Sequence, residues 1–145
     1  MKRIALILIV LFTFTAFYLP LNGNDRNKQN NSELIERLFP IVKSILEGKD
    51  YSEFKDNISP EAYVINSNIY ESIFEILGNP SKKESFIEGE EIKFEYAHLW
   101  LSDNQNEAYM VLETKSLDNT KTSWHSILFK INENKKWQIL NWHKS

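Results

Sequence analysis

The C-terminal half of this chain alternates. In "EIKFEYAHLWL", Ile92, Phe94, Tyr96, His98 and Trp100 recur at every second position, with Glu91, Lys93 and Glu95 on the other side. That is the period of a half-buried strand. "SDNQN" is a turn by composition, and "EAYMVLETKS" resumes the period with Ala108, Met110, Leu112 and Thr114 in phase. "LDNTK" then leads into "TSWHSILFKI", where His125, Ile127, Phe129 and Ile131 share a face. "NENKK" leads into "WQILNWHKS", with Trp137, Ile139, Asn141 and His143 in phase. Four strands on short polar loops predict an antiparallel meander.

The N-terminal half has a helical period. Ser32 is a candidate N-cap for "ELIERLFPIVKSILEG", with Glu33 favourably placed in the first turn. Leu34, Leu38, Ile41 and Ile45, joined by Ile35, Phe39, Val42 and Leu46, make one broad apolar stripe. Pro40 predicts a kink, and Gly48 a stop. "DYSEFKDNISPEAYVI" reads as a short helical turn and then a brief strand at 62–65. A second helix is predicted over 67–77, with Ile69, Tyr70, Ile73, Phe74 and Leu77 on one face, closed by Gly78 and Pro80. Helices first and strands last, each with one apolar face, predict an α+β fold in which N-terminal helices pack on a strongly curved antiparallel sheet.

Ahead of these elements, Lys2 and Arg3 precede "IALILIVLFTFTAFYLPL", which has no charge. Residues 1–23 read as a secretory signal peptide cut near Gly23. The rival reading is an uncleaved membrane anchor, because the run of about 18 residues approaches spanning length. Residues 24–31, "NDRNKQNN", read as a polar tether, and 32–145 as the folded domain. The expected location is therefore outside the cytoplasm, periplasmic or secreted, with membrane contact only if the segment stays attached.

Composition narrows the chemistry. Cysteine is absent, which removes disulfides, thiolate metal sites and thiol nucleophiles. The 17 basic residues are outnumbered by 20 acidic ones, so no basic footprint for nucleic acid exists.

A long helix broken at proline, the stretch "EGKDYSEFKDNISPEAYVI", a second helix and the closing "WQILNWHKS" together resemble the nuclear transport factor 2-like superfamily. Trp137, Ile139, His143 and Ser145 carry the most specific part of that likeness, which spans 32–145. The resemblance implies a cone or roll of cystatin-like type, whose curved sheet and helices enclose a pocket, often in a homodimer. The superfamily includes SnoaL-like cyclases and ketosteroid isomerases, which set a carboxylate base and an oxyanion donor in an apolar cavity. It also includes domains that only bind, so the fold alone does not name a reaction.

The alternation places Tyr96, His98, Trp100, His125, Asn141 and His143 on inward faces, as candidates to line that pocket. The inward strand positions hold no carboxylate, so a base has to come from Asp50, Glu53, Asp56 or Glu61. No metal is expected: the histidines lack H-x-H or H-E-x-x-H spacing, and no in-phase acid stands behind them. No other cofactor is expected either. On the opposite sheet face, Trp124, Leu128, Leu140 and Trp142 predict an apolar outer surface covered by a second subunit. The favoured function is a non-catalytic module that binds a small apolar ligand or a protein partner, an immunity protein being one version. The alternative is a small isomerase, dehydratase or cyclase that pairs His98 or His143 with a helical carboxylate. The two differ in whether an acid stands within hydrogen-bond reach of a pocket histidine.

Overall fold

The computed structural model describes residues 23–66, 69–89 and 92–145. Most of the expected signal segment therefore lies outside the described residues. Among them, no helix is long and apolar enough to cross a membrane.

Helix α1 spans Gly23–Leu46. It begins well before Ser32, and the stretch expected to be a tether continues it, because neither Gly nor Pro interrupts residues 24–39. A compact unit runs from Asn31 to Ser145. Within it Leu34, Leu38, Val42, Ile45 and Leu46 are buried, the three-and-four spacing of a helix stripe facing a core. Pro40 sits inside the helix, where its missing N–H forfeits the bond to Glu36. The stop at Gly48 is as expected. Its φ of 75° suits glycine, and the N–H groups of Gly48 and Lys49 donate to the carbonyls of Ile45 and Ser44. A side chain there would also meet Ile87, whose Cδ1 lies 2.9 Å from the position of a Cβ.

Two short 3-10 turns, Tyr51–Glu53 and Lys55–Asn57, lead into β1, Ile58–Asn66. The second helix was expected from residue 67, but Ile69–Ser72 forms a strand, β2, antiparallel to β1. Asn66 and Ile69 face each other across that hairpin, and the pairing available to β-branched and aromatic residues there overrides the helical spacing. Helix α2 is the remainder, Ile73–Gly78, with Ile73, Ile76 and Leu77 buried. Pro80 does not merely close it. Asn79 caps a further helix, α3, Pro80–Phe86, accepting from the N–H groups of Ser81 and Lys82, and proline at the first helical position is well tolerated.

Strands β3 (Ile92–Leu101), β4 (Glu107–Ser116), β5 (Thr122–Ile131) and β6 (Trp137–Lys144) form the expected meander. The sheet order is β2-β1-β6-β5-β4-β3. The β1–β6 pair is parallel, so the sheet is mixed rather than wholly antiparallel. It is curved and does not close on itself. The buried faces of α1, α2 and α3 join those of the strands in one apolar cluster, with Phe39 of α1 edge-on to Phe94 of β3 at 5.1 Å.

Two irregularities decide which side chains that cluster receives. Between β3 and β4, Phe94 faces Thr114 and Tyr96 faces Glu113, leaving Glu95 unmatched. Between β5 and β6, Phe129 faces Ile139 and Leu128 faces Asn141, leaving Leu140 unmatched. Each extra residue is a bulge, and beyond it the alternation is inverted. In β3 the inward set changes from Ile92 and Phe94 to Leu99 and Leu101, so Tyr96, His98 and Trp100 turn to the outer face and are exposed. In β6 the inward set changes from Trp137 and Ile139 to Trp142, which is 0% exposed. Asn141 and His143 turn outward. Thus five of the six inward pocket candidates lie on the outer face, and Trp142, expected there, is in the core. Strands β4 and β5 have no such break and keep the expected phase.

Candidate functional site

His125 is the one histidine of three that faces inward, and it is fully buried. Its hydrogen bonds form a directed chain. The Trp142 indole N–H donates to His125 Nδ1 at 3.1 Å. An indole nitrogen can only donate, so Nδ1 must be an unprotonated acceptor and Nε2 carries the proton. Nε2 lies 3.2 Å from Thr114 Oγ1, whose own hydroxyl donates to the Ser123 carbonyl at 3.4 Å. Nε2 is also 3.5 Å from Glu88 Oε1.

Glu88 belongs to the connector between α3 and β3, and its partner is Lys144 near the end of β6. Lys144 Nζ stands 2.7 Å from Oε1, with both side chains about seven-eighths buried. Oε1 makes no hydrogen bond of regular geometry, so proximity of charge holds the pair. The same ammonium donates to the Phe86 carbonyl at 3.1 Å and lies 3.4 Å from that of Ser85. Those carbonyls close α3, where a cation also meets the negative end of the helix dipole. Burial pushes the Glu88 carboxyl up. The His125 ring and the Lys144 ammonium, both close to its Oε1, outweigh it and hold the group at about 2. For His125 burial dominates, and its pKa lies below the ordinary 6.5 although Glu88 pulls the other way.

Glu88 and Lys144 also line a cleft of about 630 Å³ between the β4–β5 hairpin and the connector, with Ser116, Lys121 and Ser123 among the other lining residues. An acid does stand near the inward histidine, but it is Glu88 and not one of the acids expected. Asp50 instead caps the first 3-10 turn through the Ser52 N–H at 3.0 Å. Asp56 meets Lys136 at 3.4 Å, and Glu53 and Glu61 are exposed. Glu88 was legible only as a polar residue between two elements, and nothing in its spacing points to His125.

As a catalytic pair, Glu88 and His125 are poorly equipped. Both imidazole nitrogens are already engaged inside protein, and a carboxylate held at about 2 is a weak base at neutral pH. Among the described residues no group of three His, Asp or Glu side chains is placed to hold a metal ion.

The outer face is different in kind. Trp124, Tyr96, His98, Trp100 and Tyr109 form an unbroken chain of ring contacts, with centroid separations of 6.1, 6.3, 4.3 and 6.2 Å. Tyr96, Trp100, Tyr109 and Trp124 are each 43–46% exposed. Asn141 and His143 lie on the same face in β6, the strand next to the one that carries Trp124. There the Asn141 amide donates to the Tyr63 hydroxyl at 2.9 Å. Leu128 and Leu140 are half-buried.

No protein-family model matches this chain, and no curated protein matches it. Solved structures do. A provisionally named ketosteroid isomerase from Shewanella frigidimarina aligns at 11% identity over 73% of this chain and 92% of its own, with a TM-score of 0.58. An NTF2-like protein of unknown function in nutrient uptake from Rhodospirillum rubrum aligns at 11% over 77% and 96%, with a TM-score of 0.59. A nuclear transport factor 2-like superfamily protein from Salmonella enterica aligns at 17% over 81% and 91%, with a TM-score of 0.56. Likeness at this level lies in the backbone, and it shows that the chain has a nuclear transport factor 2-like fold.

Proposed function

We propose that this domain is an exported, non-catalytic binding module that recognises protein through the outer face of its sheet, its first partner being a second copy of itself. The observation behind this reading is the row of Trp124, Tyr96, His98, Trp100 and Tyr109 left open to water on one face. Clustered aromatics of this kind are enriched where proteins meet, because each ring buries much area at little conformational cost. The space between helix and sheet favours the same reading over a small apolar ligand. Leu38, Val42, Met110, Leu112, Phe129 and Trp142 already fill it. An isomerase-type reading has Glu88 beside His125 in its favour, but it needs a free imidazole nitrogen and a basic carboxylate. The pair offers neither.

Light scattering at micromolar concentration tests the proposal on the domain without its first 23 residues. The unmodified domain is expected as a dimer, and Trp100→Ala with Trp124→Ala as a folded monomer. A monomeric unmodified domain would remove the second copy as partner. Trp142 is unsuitable for this test, since replacing it would strike the core.

A further inference from the structure

We propose that the chain of contacts Trp142–His125–Glu88–Lys144 is an acid-sensitive latch: when His125 takes up a proton, the end of β6 parts from the α3–β3 connector while the rest of the sheet stays folded. The geometry supplies the mechanism. His125 Nδ1 accepts from the Trp142 indole N–H at 3.1 Å. A proton on Nδ1 sets two donors against each other, and neither has a second acceptor role to fall back on. The indole has little room to turn, packed edge-on to Phe86 of α3 at 5.2 Å.

Charge adds to the effect. The groups that face His125 among the described residues are Thr114 from β4, Trp142 and Lys144 from β6, and Glu88 from the connector. Thr114 and Trp142 are neutral, and Glu88 and Lys144 cancel. A protonated imidazole therefore leaves one surplus positive charge at a largely buried site, with a single carboxylate shared by two cations. Lys144 is the bond most exposed to that competition, and it is also what ties β6 to the last carbonyls of α3. Releasing Lys144 frees one wall of the cleft above.

Amide hydrogen exchange, corrected for the intrinsic chemical rate, reads the latch directly. Between about pH 7.5 and about pH 5, residues 86–89 and 142–145 are expected to exchange at least about tenfold faster, while the centres of β4 and β5 hold. His125→Asn keeps an acceptor for the indole but does not titrate, so it should remove this pH dependence. If that variant does not fold, Trp142→Phe carries the test: with the facing donor gone, the His125 ring should titrate at a higher pH by NMR. Unchanged exchange in the two segments overturns the proposal. So does an equal rise across the whole sheet, a pH dependence that survives His125→Asn, or an imidazole titration indifferent to Trp142→Phe.

Discussion

The chain carries two Trp-His dipeptides, Trp124-His125 in β5 and Trp142-His143 in β6, and the fold uses them in opposite senses. In β5 the tryptophan is exposed and the histidine buried; in β6 the tryptophan is buried and the histidine exposed. The inward histidine of one pair and the inward tryptophan of the other then bond to each other at 3.1 Å. Their chemistry is identical, so position alone separates a core residue from an exposed one. The register shift at Leu140 supplies that difference.

The largest expected effect tests the tryptophans against each other. Trp142→Ala should cost about 3–5 kcal/mol in urea denaturation, the loss of a large side chain from a tight core. Trp124→Ala should stay within about 0.5 kcal/mol for the monomer, as an exposed site does. Equal costs would erase the distinction between the two pairs.

A smaller effect concerns the charges behind the buried pair, and its sign follows from the two groups. Glu88 is lowered from 4.5 to about 2 in the folded chain, so its contribution is present above pH 4.5 and lost as pH falls toward 2. That contribution is on the order of 2–3 kcal/mol. His125 is lowered from 6.5. The unfolded chain therefore takes its proton first, and stability starts to fall as pH drops below about 6.5. Denaturation midpoints across this range should decline in both windows. Lys144→Met should cost about 1–3 kcal/mol at neutral pH and shrink the decline at lower pH. A flat profile in the unmodified protein would show that the network is not coupled to folding.

The smallest expected effect sharpens the role of the bulge. Deleting Leu140 would make β6 regular, and Asn141 would still face Leu128, so Trp142 should remain buried. The cost should be on the order of 1–2 kcal/mol, below that of Trp142→Ala. Tryptophan emission reports it: a red shift comparable with unfolding would mean that the extra residue itself holds the register.

This also explains which parts of the fold were legible in the sequence. Strands β4 and β5 alternate without a break, so Met110, Leu112, Ile127, Phe129 and His125 were placed correctly from period alone. Glu95 and Leu140 carry no mark of a bulge; neither is glycine, and either would suit a regular strand. Whether an extra residue is tolerated depends on what the neighbouring strand presents, which is not local information. The candidate site suffered most, because each bulge lies upstream of the residues expected to line it. Glu88 was missed for a related reason. It reaches His125 only after the connector has folded back over β5 and β6, some 37 residues ahead of its partner in the chain.

The bulge at Glu95 has one more consequence, for solubility. Strand β3 is an outer strand of the sheet, and a ten-residue outer strand carrying Phe94, Tyr96 and Trp100 is a ready template for unwanted strand addition. An interruption three residues from its start divides that template into two short pieces, with Lys93 and Glu95 setting charge beside the break. An incoming strand can run in register with only one of them. The aromatic rings on the face can thus stay open to a partner while the backbone next to them discourages fibre growth.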